Sequence, residues 1–213
     1  RSLCVVVDSS ASMAAGSGKK FRVARQLAAA LAYVALAGLD RVTVVAAGER
    51  IGERLPPLRG KQRVLSVVRF LEKLRASGPT DLGRALQSFC AREKRRGVVV
   101  VITDLFDPHG FQAGIDVLRF NRFEPVVLHL RDPDEIPKNL RGDVRLVDVE
   151  TGAEKDATVD GDFVAAWTER SRAFQERAER YCLSRGVPYV AVNTDLPLDR
   201  IVLDVLRRGG VFE

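Results

Sequence analysis

The segment that most narrows what this chain can become is Gly97-Val98-Val99-Val100-Val101-Ile102-Thr103-Asp104. Four valines and an isoleucine in unbroken succession make a strand, and a strand without polar alternation is covered on both faces. Such strands belong to parallel sheets, whose connections must cross over one face or the other. The rest of the chain alternates accordingly. Leu3–Val7 is a second β-branched strand and Val42–Ala46 a third, followed by a short polar strand around Ile51–Leu55 that stops at Pro56-Pro57. Helical spacing runs from Lys19 to about Leu39, through Val64/Leu65, Val68, Leu71 and Leu74, and through Leu82, Ala85/Leu86 and Phe89/Cys90.

Beyond Asp104 the pattern continues. A short helix carries Phe111, Ile115 and Leu118, and Pro125–Leu130 is a strand. Val144–Val149 and Lys155–Val159, around Thr151-Gly152, read as a β-hairpin insert near 143–160. A long amphipathic helix is marked by Phe163/Val164, Trp167, Phe174, Ala178 and Tyr181/Cys182. Val187–Val192 is a last strand, and Leu198, Ile201/Val202 and Val205 form a terminal helix. This order predicts an α/β fold over 1–213: one three-layer domain with a doubly wound, mostly parallel sheet and helices on both faces.

Composition is consistent with that size of core, at 46% apolar and 29% charged residues over 213 positions. No apolar run approaches the ~20 residues of a membrane-spanning helix. The chain starts at Arg1, on the doorstep of a strand, which reads as the boundary of a fragment; an upstream segment, even an anchor, stays open. Cys4, Cys90 and Cys182 are odd in number, far apart and set in apolar patterns. They read as free buried thiols in a reducing compartment, so the expected location is cytoplasmic. The formal charge is +6, with basic clusters at Lys19-Lys20, Arg92-Lys94-Arg95-Arg96 and Arg207-Arg208. No cluster is interleaved with aromatics, and no nucleic-acid-binding motif is visible; solvated faces and helix C-termini account for most of these charges.

The strand Leu3–Val7 ends in Asp8-Ser9-Ser10-Ala11-Ser12. In extended backbone, residues two apart point to one side, so Asp8, Ser10 and Ser12 can present three oxygens to one point. One carboxylate and two hydroxyls form a hard, oxygen-only set suited to Mg²⁺, Mn²⁺ or Ca²⁺. The same letters also suit a polar turn after a buried strand. In an open α/β sheet, ligands bind beyond the carboxyl ends of the strands where strand order reverses. Asp8 and Asp104 end two strands that flank such a point, and paired carboxylates there repel each other unless a cation lies between them. Alternatively, Asp104 simply begins the turn Asp104-Leu105-Phe106-Asp107-Pro108. Thr80, in Ser77-Gly78-Pro79-Thr80-Asp81-Leu82-Gly83, is either an N-cap or a loop hydroxyl supplying the same cation. Its capping-box partner would be Gly83, where Glu or Gln is expected.

Taken together, Asp8-x-Ser10-x-Ser12, Thr80 in Gly-Pro-Thr-Asp-Leu, and Thr103-Asp104 after a β run resemble the metal-ion-dependent adhesion site of the von Willebrand factor A-like domain. The resemblance covers essentially the whole chain. More narrowly, Arg1-Ser2-Leu3, Gly-Pro-Thr-Asp-Leu-Gly-Arg-Ala-Leu and Val-Ile-Thr-Asp-Leu-Phe-Asp are similar to the bacterial family named domain of unknown function 58. In that family an N-terminal segment normally precedes the first strand, and members are usually encoded beside MoxR-type AAA+ ATPases as their expected partners. The resemblance implies that Ser10 and Ser12 coordinate the ion directly. It implies that Thr80 does so directly or through water, and Asp8 and Asp104 mainly through water or as direct ligands. A sixth position is left for a partner's Asp or Glu. The implied function is a non-catalytic, divalent-metal-dependent protein-binding module, an adaptor for a MoxR-type ATPase.

Two rivals follow from the residues. A metal-dependent phosphoryl-transfer enzyme of the haloacid-dehalogenase type would need a second aspartate where Ser10 stands, and a receiver domain places its phosphoacceptor after the third strand. Gly16-Ser17-Gly18-Lys19-Lys20 hints at a P-loop, but Met13 replaces the first glycine and Lys20 the Ser or Thr. Of the two histidines, His129 lies inside a strand and reads as a core residue, and His109 as a loop residue. The other rival is a metal-independent basic scaffold that binds nucleic acid or acidic proteins through Arg92–Arg96, whose affinity would fall with salt and ignore EDTA.

Overall fold

Strands buried on both faces need helices on both sides, and the computed structural model, which describes residues 1–135 and 140–211, has that arrangement. The strands are β1 (Ser2–Asp8), β2 (Arg41–Ala47), β3 (Ile51–Arg59), β4 (Val98–Thr103), β5 (Glu124–Arg131), β6 (Gly142–Val147), β7 (Glu154–Val159) and β8 (Tyr189–Asn193). The helices are α1 (Ala11–Ala14), α2 (Lys19–Ala37), α3 (Val64–Lys73), α4 (Leu82–Arg92), α5 (Gln112–Phe120), α6 (Gly161–Leu183) and α7 (Leu198–Arg208). Six strands form one sheet in the order β3-β2-β1-β4-β5-β8, parallel except for β3, while β6 and β7 pair separately as an antiparallel hairpin.

The period of two along each strand divides the core. Val5, Val7, Val44, Val100, Ile102 and Leu128 face α2, α3 and α7, whereas Cys4, Val6, Val45, Val99 and Val101 face the layer of α4 and α5. Farther along that second face, Val127 and Tyr189 pack with Ala178 and Cys182 of α6. Each fully buried valine contributes about 1.5–3 kcal/mol relative to exposure, which is why uniformly apolar strands hold the centre.

Where the edge strand was expected to stop at Pro56-Pro57, β3 instead runs on to Arg59. Val42 pairs with Leu58 and Val44 with Leu55, so one extra residue bulges from β3 at the two prolines. An edge strand tolerates this because a missing N–H on its outer side costs no ladder bond. The last strand is likewise shifted, to Tyr189–Asn193. Thr80 is not an N-cap: that position belongs to Asp81, whose Oδ1 accepts the Arg84 amide at 2.8 Å.

Close packing of α5 on α4 positions the start of α4. A Cβ built on Gly114 would lie 2.9 Å from Leu86 Cδ1 and 3.0 Å from the Leu82 carbonyl oxygen. Gly114→Val should therefore lower stability by about 1–3 kcal/mol through overpacking. A urea midpoint equal to wild type would show that the two helices can part without cost.

Candidate metal centre

Strand order reverses between β1 and β4, the two strands that end in Asp8 and at Thr103-Asp104. Asp8, Ser10, Thr80, Thr103 and Asp104 are all buried to within 1% of complete, and Ser12 is 8% exposed. The Asp8 Oδ1 oxygen accepts the Ser10 amide at 2.9 Å and the Ser10 hydroxyl at 2.7 Å, and Oδ2 accepts the Thr103 hydroxyl at 2.6 Å. Ser10 and Ser12 hydroxyl oxygens lie 3.0 Å apart, and Ser12 Oγ is 3.5 Å from Asp104 Oδ1, a long contact. A continuous path of oxygens thus runs from Asp8 to Asp104 with steps of 2.7, 3.0 and 3.5 Å. Neighbouring ligands of an octahedral Mg²⁺ with bonds of about 2.1 Å are about 3.0 Å apart; the donor set fits a small hard cation in chemistry, and the Ser10–Ser12 step has that spacing while the Ser12–Asp104 step, at 3.5 Å, is longer.

The loop bearing Thr80 is tied to the same place by its backbone. The Ser77 amide donates to the Ser9 carbonyl at 2.8 Å, and the Ala11 amide to the Gly78 carbonyl at 2.9 Å. Gly78 has φ +76°, a backbone position that favours glycine. The Thr80 side chain, however, turns to the hairpin: its hydroxyl donates to Glu150 Oε1 at 2.8 Å and its amide to Oε2 at 3.0 Å. Four of the five expected residues therefore share one oxygen path, and the fifth lies beside it, bonded to Glu150.

Two charged residues of this end escaped the sequence reading. Lys20 was grouped with the solvated basic clusters, yet it is 2% exposed. Its ammonium donates to Asp104 Oδ2 at 2.6 Å and also pairs with Glu135, 5.2 Å from the centre of the Phe106 ring. Burial pulls its pKa down, but Asp104 and Glu135 more than offset this and leave it above the ordinary value. The missed signal is its place on the apolar stripe of α2, four residues before Ala24. Glu150 lies in the turn of the β6–β7 hairpin, for which the sequence alone indicates no role at this site. Lys19 lies among Asp132, Asp134 and Asp195, whose oxygens are within 4.8 Å of one another, so that acidic cluster already has its cation. Among the described residues, Thr194 Oγ1 is the one buried side-chain polar atom without a partner.

Burial, and next the Asp104 charge, push the Asp8 carboxyl up from 3.8 to about 7. The folded protein then holds a proton more tightly than the unfolded chain. The stability this group contributes is complete below pH 3.8 and is lost as pH rises to about 7. His129, buried and 2.5 Å from the Tyr189 hydroxyl, is lowered to about 4, first by burial, and its effect runs the other way as pH rises toward 6.5. The difference between Asp8→Asn and wild type isolates Asp8. In EDTA, the variant should gain about 2–3 kcal/mol on wild type between pH 5 and pH 8. A difference that does not change with pH would mean that Asp8 is ionised throughout.

Residues 1–177 match the family described as protein of unknown function DUF58. Over 200 residues the chain is 28% identical to uncharacterized proteins of Mycobacterium tuberculosis and Mycobacterium bovis, covering 90% of this chain and 62% of theirs. The chain thus spans about three fifths of the length of these relatives. Its backbone is similar to that of the conserved hypothetical protein BatB from Bacteroides thetaiotaomicron, with a TM-score of 0.59, 15% identity and coverage of 98% of each chain. It is also similar to a von Willebrand factor type A structure from Catenulispora acidiphila, with a TM-score of 0.50 and 20% identity over 65% of this chain and 35% of that one. At such identities the likeness speaks for the fold alone. No helix among the described residues is long and apolar enough to cross a membrane. Because that family model spans residues 1–177 of the 213, the chain belongs to the family described as protein of unknown function DUF58.

Proposed function

We propose that this chain is a non-catalytic protein-binding module that works through a divalent ion, Mg²⁺ or Mn²⁺, held by Asp8, Ser10, Ser12, Thr80 and Asp104. Its partner supplies an Asp or Glu to that ion, and a MoxR-type AAA+ ATPase is the partner proposed, in the cytoplasm. The observation that carries the reading is the buried oxygen path from Asp8 through Ser10 and Ser12 to Asp104 at the ends of adjacent parallel strands. When bound, the ion offers a positive charge to an external carboxylate. The residues of this chain fix the oxygens and exclude water from their far side.

The chemistry around the site favours binding over turnover. Asp8 accepts three hydrogen bonds, which leaves it poorly placed as a base toward an external group. The buried His129 is engaged by Tyr189, and His109 is exposed in a loop. The test is a thermal titration with MnCl₂ beside assays for phosphatase and ATPase turnover. At 100 times its dissociation constant, the ion should stabilise wild type by about 2.7 kcal/mol and leave Asp104→Ala unmoved, with no turnover in either. Equal stabilisation of both proteins would contradict the metal site. Turnover abolished by Asp8→Ala would make the protein an enzyme.

A further inference from the structure

The β6–β7 hairpin shares no ladder with the main sheet, and most of its residues are exposed. Its turn is nevertheless tightly shaped. Asp148 Oδ1 accepts the amides of Glu150 and Thr151 at 2.8 and 2.9 Å, and the Gly152 amide donates to the Asp148 carbonyl at 2.8 Å. This aims the Glu150 carboxylate at Thr80, where both of its oxygens are engaged. Thr80 is buried and Glu150 half-buried, so the contact is partly dry. A cavity of about 850 Å³ is lined by hairpin residues including Glu150 and by Ser12, Lys20, Leu105, Phe106 and Trp167.

We infer that Glu150 is a resident acidic ligand of this site: the hairpin sets a carboxylate of the chain itself where the partner's Asp or Glu would enter, and the hairpin must lift before that partner binds. The inference rests on the metal-dependent reading proposed above. Three features support it. A carboxylate is the chemical class that reading requires. It comes from the β6–β7 hairpin, whose two strands pair with each other apart from the main sheet. It is also bonded to the one expected residue whose side chain does not join the oxygen path.

The probe is Mn²⁺ itself, bound to wild type, Glu150→Ala and Glu150→Gln, and read by water-proton relaxation. Each variant should show a higher relaxation enhancement than wild type, by the contribution of one further exchanging water, and acetate should reverse the gain. Hydrogen exchange at the Thr80 amide and across 142–159 should quicken in Glu150→Ala. If Mn²⁺ binds all three proteins with equal enhancement and equal exchange, Glu150 is not a ligand, although the metal site stands. If Mn²⁺ binds none of them, the metal reading fails and takes this inference with it.

Discussion

With Lys20 replaced by methionine, the metal-free protein should lose about 3–5 kcal/mol of stability, the cost of leaving a buried charge without its partner. The ammonium of Lys20 and the Asp104 carboxylate are both almost fully buried and 2.6 Å apart, and Glu135 is bonded to the same ammonium. Methionine fills the space of the lysine stem, so the loss reports charge and not a cavity. What remains is Asp104 facing Asp8 and Glu135 with no positive group between them. A divalent ion should then restore more stability to Lys20→Met than it adds to wild type, because it takes over the neutralising role. Urea unfolding in EDTA, and again with MgCl₂, measures both quantities. A loss below about 1 kcal/mol would mean that Asp104 is neutralised by another route.

Capture of a MoxR-type ATPase should depend on the ion just as strongly. A partner carboxylate that completes the shell forms a charged pair in a partly dry interface, and breaking such a pair costs about 2–5 kcal/mol. That converts to a loss of affinity of roughly 30- to 4,000-fold. Wild type should retain the ATPase in Mg²⁺, whereas Asp8→Ala in Mg²⁺ and wild type in EDTA should lose it almost entirely. Because the buried polar groups at this end are partnered without a metal, EDTA should leave the module folded. Equal retention in all three samples would place the interface elsewhere, and retention that falls with salt but ignores EDTA would favour the basic scaffold.

The layout of the sheet was legible because its signals are local. Runs such as Val98–Ile102 declare two-sided burial by themselves, and the spacing of Asp8, Ser10 and Ser12 follows from the period of a strand. Adjacency of Asp8 and Asp104 could be argued because strand order in doubly wound sheets is restricted. Lys20 and Glu150 are different. Their partners lie 84 and 70 residues away in sequence, and neither pairing follows from a repeat or a turn. A lysine on an apolar stripe only announces that some carboxylate must meet it. Whether a proline pair ends a strand or bulges from it depends on whether that strand lies at an edge, which Pro56 and Pro57 could not reveal on their own.

The central claim is that one divalent ion shares the oxygens of β1's end, the Thr80 loop and Asp104. Crystals soaked in MnCl₂ and measured at the manganese absorption edge test it most directly. The predicted result is one anomalous peak about 2.2 Å from the hydroxyl oxygens of Ser10 and Ser12, beside Asp8, Thr80 and Asp104, and absent from Asp104→Ala crystals. A soaked crystal whose only peak lies among Asp132, Asp134 and Asp195, or which shows none, would contradict it.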